Sequence, residues 1–237
     1  MFLEQQIYIY QKLKKILQIC KERIGSFSYE IKRFFVKRLV KNKDFSIISN
    51  NCWAGRVYQS LDMPYLSPTA GLYFFAPEYI KFVKNLKGYL DTPLEFISPE
   101  ESKYFEELKN RNQLTKPIGR LGDVEIVFLH YSTKEEALEK WNRRKERVNF
   151  EHIILKFSRM DLCTEKEIEE FDAIKFGNKI VFNNRKPLKF NSEVYWNEQW
   201  REEGILRDTN PFPGNISIVR LLNKKSITYS LIGYNEE

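Results

Sequence analysis

Residues 45–61 read FSIISNNCWAGRVYQSL, and this stretch joins a short apolar segment, a polar turn and a helical segment. Phe45 to Ser49 has the length and composition of a buried strand. Asn50 to Cys52 form a polar turn, and a helix is predicted from about Ala54 to Leu61. A strand that is followed directly by a helix is the repeating unit of an α/β protein.

The same alternation continues along the chain. Further strands are predicted at Val124 to His130, Ile153 to Phe157 and Lys179 to Phe182, and helices from about Pro77 to Leu86, Glu100 to Arg111, Thr133 to Arg147 and Thr164 to Ala173. Pro93 to Pro99 is predicted to be a connection. The tail from Asn191 is predicted to be irregular, with one last strand or helix over Asn215 to Leu222. The pattern predicts a single α/β domain over residues 45–237, a three-layer α/β/α arrangement with a largely parallel or mixed sheet.

A basic amphipathic helical arm is predicted over residues 1–44. This segment holds 11 Lys or Arg and 4 Asp or Glu, so it accounts for the whole formal net charge of +7. Its apolar residues are three or four positions apart, which lines one face of a helix. They are Tyr10, Leu13, Leu17, Cys20, Ile24, Phe27, Ile31 and Phe34. Such a helix can lie on an anionic membrane surface, pair with a second copy in a homodimer, or pack on its own domain; the pattern leaves all three open.

Composition limits the class of protein. With 42% hydrophobic and 15% aromatic residues, the chain of 237 residues can bury a sizeable core. The three cysteines are scattered, so neither a disulfide framework nor a metal site is expected. Nucleic acid is not expected as a partner, because the charges beyond residue 44 cancel. No apolar run reaches the roughly 18 to 20 residues of a membrane span, and no signal-peptide pattern is visible. We therefore expect a cytoplasmic protein that becomes peripheral on the inner face of the plasma membrane where its arm binds lipid.

The turn after the first strand is the first candidate site. Ligands of open α/β sheets bind beyond the carboxyl ends of the strands, and this turn places Asn50, Asn51, Trp53 and Arg56 around Cys52. A helix N-terminus lowers the pKa of a thiol, so Cys52 is a candidate catalytic nucleophile. Arg56 is a candidate ligand for an anionic substrate. The alternative is that Cys52 is an ordinary buried residue and that Arg56 forms a surface salt bridge.

A second candidate site lies at the end of the predicted strand Val124 to His130. His130 is a candidate general base toward a thiol, a water or a sugar hydroxyl. Asp123 is the candidate carboxylate that orients it, although Asp123 precedes the strand and so belongs to its other end. Tyr131 is a candidate substrate contact. The alternative is a structural histidine that closes the strand with hydrogen bonds.

A basic cluster follows in the predicted helix Thr133 to Arg147. Arg143 and Arg144 are candidates for binding phosphate or carboxylate through paired hydrogen bonds, and Trp141 can stack on a sugar ring or a purine. Lys156, Ser158 and Asp161, at and beyond the end of the next predicted strand, are candidates for the same polar rim. The alternative is a solvated helix face. Glycine-rich phosphate loops of the Walker type, GxGxxG, GxSxG, HExxH and Asp-x-Asp motifs are all missing from the sequence.

Several segments together carry a family resemblance. They are Asn50 to Tyr58 (NNCWAGRVY), Ser67-Pro68-Thr69, Pro117 to Leu121 (PIGRL) with Asp123, His130-Tyr131 and Lys140-Trp141-x-Arg143-Arg144. In this order they resemble a bacterial family of uncharacterised function whose members are often labelled exopolysaccharide biosynthesis proteins. The resemblance runs from about Phe45 to Phe182, and Ala54 departs from it where a second glycine is typical. It implies an α/β fold and a role in capsule or exopolysaccharide biosynthesis, and it implies no catalytic residue.

Together these features favour a transferase that modifies a surface-polysaccharide precursor at the cytoplasmic membrane face. An acyltransferase would use Cys52 as nucleophile or His130 as base, with acyl-coenzyme A as donor. A glycosyl- or phosphotransferase would instead bind a nucleotide sugar or another phosphate donor through Arg56, Arg143 and Arg144. A third hypothesis is a non-catalytic assembly protein that docks on a polysaccharide-synthesis complex. In each case the arm would bind the anionic membrane, a lipid-linked sugar or the partner complex.

Overall fold

The structure is a computed structural model that describes residues 26–214 and 216–224. The chain divides into two compact units, Met1–Lys41 and Asn42–Glu237. The apolar arm positions from Tyr10 to Ile24 lie outside the described residues. Within the described ranges, none of the helices has the length and apolar character needed to cross a bilayer.

The first unit contains helix α1, described over residues 26–39. The predicted apolar face is solvent-exposed where it is described: Phe27, Ile31 and Phe34 are 70%, 43% and 60% exposed. Val36 and Val40 are buried instead. The helix therefore presents aromatic and aliphatic side chains to solvent on the face that the sequence pattern marks.

The second unit alternates strands and helices. Its strands are β1 (Ser46–Ser49), β2 (Glu95–Ile97), β3 (Ile118–Leu121), β4 (Val124–Val127), β5 (Ile153–Ser158), β6 (Lys179–Asn183), β7 (Glu193–Tyr195), β8 (Trp200–Arg201) and β9 (Gly204–Ile205). Its α-helices are α2 (Trp53–Ser60), α3 (Ala76–Lys84), α4 (Leu86–Asp91), α5 (Phe105–Asn110), α6 (Lys134–Lys145), α7 (Glu165–Ala173) and α8 (Ile218–Asn223). The predicted α/β class is confirmed.

A four-stranded parallel sheet in the order β1-β5-β6-β7 forms the centre of this unit, with helices flanking it. β1 and β5 are adjacent, with Ser49 opposite Lys156, and every residue of both strands is buried. Parallel strands covered on both faces are expected to be continuous apolar runs, as Ile153-Ile154-Leu155 is. Tyr79 of α3 ties the layers together, because its hydroxyl donates to the carbonyls of Ile48 at 2.7 Å and Lys156 at 2.9 Å.

The prediction for Val124 to His130 is wrong in its length and in its setting. β4 ends at Val127 and belongs to a separate three-stranded antiparallel sheet, β2-β3-β4. Gly122, at φ +59°, forms the tight turn between β3 and β4, a conformation that favours glycine. His130 therefore lies in a turn beyond an antiparallel hairpin and not at the carboxyl end of a central strand.

Three other predicted segments differ from the structure. The predicted connection Pro93 to Pro99 contains β2, which pairs with β3, and the tail from Asn191 contributes β7 to the central sheet. The predicted helix Glu100 to Arg111 is a 3₁₀ turn at Pro99–Glu101 and the shorter α5, because Ser102 lies in extended backbone between them. The segment Asn215 to Leu222, predicted to hold a strand or a helix, contains helix α8.

Candidate functional site

Polar residues collect at the carboxyl edge of the parallel sheet. Asn50, Asn51 and Cys52 follow β1, and Met160 and Asp161 come just after the end of β5, beside it. Asn50 joins the two strand ends, since its Nδ2 donates to the Ser158 carbonyl at 3.2 Å and its Oδ1 accepts from the Ser158 amide at 3.1 Å. The predicted location of the site, beyond adjacent strand ends, matches this geometry.

Cys52 is the residue before the first turn of α2 and is partly buried. Its Sγ lies 3.8 Å from the Leu72 carbonyl oxygen. Burial raises the pKa of the thiol to about 11, and Asp208 adds to the rise while Arg56 and Lys156 oppose it. The expectation of a lowered pKa is wrong, because desolvation outweighs the helix N-terminus and the nearby cations. Cys52 is a neutral thiol near pH 7.

Cleft A opens beside Cys52 and has a volume of about 300 Å³. It is lined by Cys52, Gly55, Arg56, Gln59, Tyr65, Ala70, Gly71, His130, Tyr131, Lys140 and Arg144. Three of these residues are cationic and none is a carboxylate. A concave surface with charges of one sign attracts ligands of the opposite sign.

Arg144, from α6, is the most informative residue of cleft A. Only 7% of it is exposed, and its guanidinium donates to the Ala70 carbonyl at 2.9 Å and to the Tyr131 hydroxyl at 2.6 Å. The guanidinium also lies 4.5 Å from the centre of the Tyr65 ring. All these partners are neutral, and no carboxylate within the described part of the chain forms an ion pair with Arg144. Its guanidinium is therefore buried without a direct carboxylate contact among the described residues, and Glu136 acts on it only at longer range.

Arg56 and His130 both line cleft A. Arg56 is exposed, and its guanidinium forms no hydrogen bond or ion pair with any described residue. The His130 amide donates to the Gly71 carbonyl at 3.0 Å, while its ring lines the cleft. Partial burial lowers the pKa of His130, and the charges of Arg56 and Lys116 lower it further. The imidazole is therefore neutral near pH 7 and able to accept a proton.

Cleft B adjoins cleft A and has a volume of about 430 Å³. Cys52, Arg56 and His130 line both clefts and form their common wall. The remaining lining of cleft B is Asn51, Tyr73, Arg111, Gln113, Leu129, Met160, Asp161, Leu206, Arg207, Asp208 and Thr209. Unlike cleft A, it carries carboxylates as well as cations.

Lys156 is fully buried and anchors the turn that carries Cys52. Its ammonium donates to Asn51 Oδ1 at 2.9 Å and pairs closely with Asp208. Asp208 also accepts from Asn51 Nδ2 at 2.9 Å and from the Ser158 hydroxyl. Burial lowers the pKa of Lys156, and Asp208 opposes that effect. The structure thus places Lys156 and Asn51 in a polar network beneath the clefts that fixes the strand ends.

Six of the predicted site residues line neither cleft: Asn50 and Lys156, whose contacts are given above, and Asp123, Trp141, Arg143 and Trp53. Asp123 is exposed and accepts from Tyr89 Oη at 2.6 Å and Lys81 Nζ at 3.1 Å, so the structure does not pair it with His130. Trp141 is packed in the core, and Arg143 forms an exposed ion pair with Glu139 at 3.0 Å. Trp53 is buried and donates to the Asn210 carbonyl at 3.0 Å.

The structure adds three residues that sequence reasoning missed: Tyr65 lines cleft A, Arg111 lines cleft B, and Asp208 holds Lys156. Lys140 of the predicted basic cluster lines cleft A, and Asp161 of the predicted polar rim lines cleft B. Lys140 was visible as a neighbour of Trp141 in the basic cluster. Asp161 follows a predicted strand end, which is a usable signal, whereas Asp208 reaches the site across 52 residues of chain and has no local one. Within residues 26–214 and 216–224, no group of three or more His, Cys, Asp or Glu side chains is placed to hold a metal ion.

The fold and the two clefts define an α/β protein with a cationic cleft at the edge of a parallel sheet. The chain belongs to a protein family described as "Domain of unknown function (DUF1919)", whose sequence model matches residues 24–216. It is also similar to an "Uncharacterized protein" of Haemophilus influenzae (strain ATCC 51907 / DSM 11121 / KW20 / Rd), at 29% identity over 197 residues. That similarity covers 81% of this chain and 89% of the relative. The family match includes both clefts, and neither description states a reaction.

Proposed function

We propose that the protein is a transferase for a surface-polysaccharide precursor and that it binds a phosphate-bearing donor, such as a nucleotide sugar, in cleft A. The observation that carries the donor class is the buried guanidinium of Arg144, which contacts no carboxylate among the described residues and lines a cleft whose lining contains none. A buried charge costs several kcal/mol unless an opposite charge pairs with it. The polysaccharide setting is supported by the sequence resemblance over Phe45 to Phe182.

A phosphate group suits this cleft better than a carboxylate or a neutral ligand. Arg56 and Arg144 offer two guanidinium groups from different helices, and Lys140 adds an ammonium that is paired with Glu136 on its own helix. Guanidinium groups bind phosphate oxygens through paired hydrogen bonds. With a dianionic phosphate in place, Arg144 would gain a direct anionic partner, which the described residues do not give it.

The reaction would take place at the residues that line both clefts, where His130 is the general base. His130 accepts the proton of an acceptor hydroxyl, and the hydroxyl oxygen forms a bond to the carbon or phosphorus atom that the donor transfers. The bond from that atom to the donor's phosphate oxygen breaks, and the leaving phosphate takes the electron pair. Arg56, Lys140 and Arg144 stabilise the charge that develops on it. His130 then releases its proton to solvent.

Acyl transfer through Cys52 is a second candidate function. Cys52 and His130 line the same clefts, and a thiol beside a general base is the arrangement that acyl transfer uses. The raised pKa of Cys52 counts against it, because the thiol has no stabilised anionic form in the free protein. Acyl-coenzyme A would be the donor in this case, and its pantetheine thiol ester would react directly with Cys52.

A thermal-unfolding screen distinguishes these functions. Pyrophosphate, nucleoside diphosphates, nucleotide sugars and acetyl-coenzyme A are each added to the purified full chain. A ligand at 100 times its Kd stabilises the folded protein by about 2.7 kcal/mol. We expect nucleotide sugars to raise the Tm and the Arg56→Gln variant to lose most of that rise. A panel without any response would contradict the transferase proposal and favour a non-catalytic assembly protein.

A further inference from the structure

A transferase needs a place for its acceptor, and this inference therefore rests on the proposed function. If the donor phosphate occupies cleft A, an acceptor hydroxyl must reach His130 from another direction. Cleft B meets cleft A at Cys52, Arg56 and His130, so a group bound there reaches the same imidazole from the other side. Its volume of about 430 Å³ lies within the range of roughly 300 to 1,000 Å³ that is typical of ligand sites.

The chemistry of cleft B differs from that of cleft A. Its lining combines Arg111 and Arg207 with the carboxylates of Asp161 and Asp208, and Gln113 and Thr209 add neutral donors and acceptors. With Arg56 the lining holds three arginines and two carboxylates, so cleft B lacks the uniformly cationic character of cleft A. A ligand with many hydroxyl groups can satisfy carboxylates as a donor and guanidinium groups as an acceptor at the same time.

Asp161 of cleft B has an unusual backbone conformation that contacts with neighbouring residues hold in place. It lies in the left-handed region at φ +55°, and Leu162 follows at φ +67°, although neither residue is a glycine. The strained turn is held in place, since the Asp161 carbonyl accepts from the Ala76 amide at 2.8 Å and its carboxylate pairs with Arg111 at 2.6 Å. Backbone strain of this kind costs about 1 to 3 kcal/mol per residue and concentrates at functional sites.

A third cavity, cleft C, extends the groove beyond Asp161. It has a volume of about 390 Å³ and shares Arg111, Met160, Asp161 and Leu206 with cleft B. The hairpin β8–β9 forms part of its wall through Arg201 and Gly204. The Asp161–Arg111 pair therefore lines both cavities, and each of them has a volume of at least about 390 Å³.

We propose that clefts B and C form the acceptor subsite, which binds a neutral carbohydrate of more than one sugar unit and holds its hydroxyl groups on Asp161 and Arg111. The reacting hydroxyl at the end of this chain lies against His130, opposite the donor phosphate in cleft A. Burial raises the pKa of Asp161, and the neighbouring Arg111 opposes that rise. Asp161 and Arg111 are binding residues in this arrangement, and His130 is the base.

The test is saturation-transfer NMR on the full chain with maltose, cellobiose, lactose and chitobiose as probes. We expect at least one disaccharide to receive saturation and Asp161→Asn to weaken its binding by roughly tenfold, the worth of one hydrogen bond to a charged group. Thr209→Tyr, which fills cleft B without removing a charge, should weaken it as well. Asp91→Asn, an exposed carboxylate at the end of α4, should leave it unchanged.

Pyrophosphate binding, measured in parallel on the same variants, separates this inference from the proposed donor site. Asp161→Asn and Thr209→Tyr should retain pyrophosphate binding, which also shows that they are folded, and Arg144→Gln should lose it while it retains the disaccharide. No saturation of any probe in the wild-type protein, or equal saturation in wild type, Asp161→Asn and Thr209→Tyr, would overturn the acceptor subsite. If a disaccharide binds and pyrophosphate does not, the donor proposal is overturned. The acceptor subsite is then decided by the disaccharide measurements on the variants.

Discussion

Two side chains on the common wall, Cys52 and His130, show how burial decides the chemistry of single residues. The sequence placed Cys52 correctly at the start of a helix, but the helix N-terminus does not control its pKa, because most of the thiol is removed from water. Burial depends on what covers the site, and here that cover includes the segment around Asp208, far along the chain. For His130 burial and the cations act in the same direction and favour the neutral base.

Alkylation tests the state of Cys52. At about pH 8 its rate with iodoacetamide should be about a hundredfold below that of a thiol with an ordinary pKa, because so little thiolate is present. The rate should continue to rise up to about pH 11, the pKa that burial gives this thiol. Peptide mapping by mass spectrometry reads Cys52 separately from Cys20 and Cys163. A rate that levels off below pH 8 would show an activated thiolate and return the acyl-transfer mechanism to first place.

The pKa of His130 is measured by NMR titration, with His152 as the only other histidine to assign. We expect the midpoint for His130 to lie below the ordinary value of about 6.5, since partial burial and Arg56 both disfavour the imidazolium. Acidification through that midpoint should protonate the base and abolish proton transfer, while activity above it stays level. Arg56→Gln removes one of the two cations and should raise the midpoint. A midpoint above 6.5 in the wild type would contradict this electrostatic account.

At the scale of elements, the sequence predicted what local patterns determine. The strands Phe45 to Ser49, Ile153 to Phe157 and Lys179 to Phe182 are present in the central sheet, and the predicted helix Thr164 to Ala173 begins with the capping box of Thr164 and Glu167. β2 and β7 were missed because they are three residues long and pair with strands more than ten residues away, and the four residues of β3 contain Gly119 and Arg120, which are not typical of strands. Short strands carry too few residues to show a period.

The hairpin β8–β9 provides a prediction at this scale. A Cβ on Gly204 would lie 2.6 Å from the Arg159 carbonyl oxygen, the atom that accepts from the Ile205 amide at 2.8 Å. Gly204→Ala should therefore reduce the free energy of unfolding by about 1 to 3 kcal/mol, as overpacking does. The matched control is Gly177→Ala, where nothing lies within 4 Å of the added atom. Urea unfolding compares the two, and equal stability would show that the hairpin does not pack against the end of β5.

At the scale of the whole molecule, the distribution of formal charge along the chain can be read directly from the sequence. The excess of basic residues lies in residues 1–44, and the remainder of the chain is formally balanced. The cationic character of cleft A is local, since it arises from Arg56, Lys140 and Arg144 on two helices that only the tertiary fold brings together. The sequence of residues 133–147 predicts a basic helix. Which of its arginines is buried depends on how α6 packs, and in the structure Arg144 is buried while Arg143 is exposed to solvent.

The basic arm leads to a prediction about membranes. We expect the full chain to sediment with vesicles that contain phosphatidylserine and to be released by salt, because basic residues near an anionic surface each contribute about 1 kcal/mol. Neutral phosphatidylcholine vesicles are the lipid control, and deletion of Met1–Lys41 should abolish the binding. Equal sedimentation of the truncated chain would place the membrane contact, if any, on the second unit and contradict a role of the arm.

The central claim is that cleft A binds a phosphate-bearing ligand, and calorimetric titration of pyrophosphate tests it most directly. Arg56→Gln removes an exposed, unpaired guanidinium at little cost in folding, and Arg143→Gln removes a neighbouring charge that faces solvent and serves as the control. We predict that wild type and Arg143→Gln bind with the same Kd and that Arg56→Gln binds at least about tenfold more weakly, as the loss of a charge-assisted hydrogen bond implies. A wild-type protein that does not bind pyrophosphate, or an Arg56→Gln variant that binds it as tightly as the Arg143→Gln control, would contradict the claim.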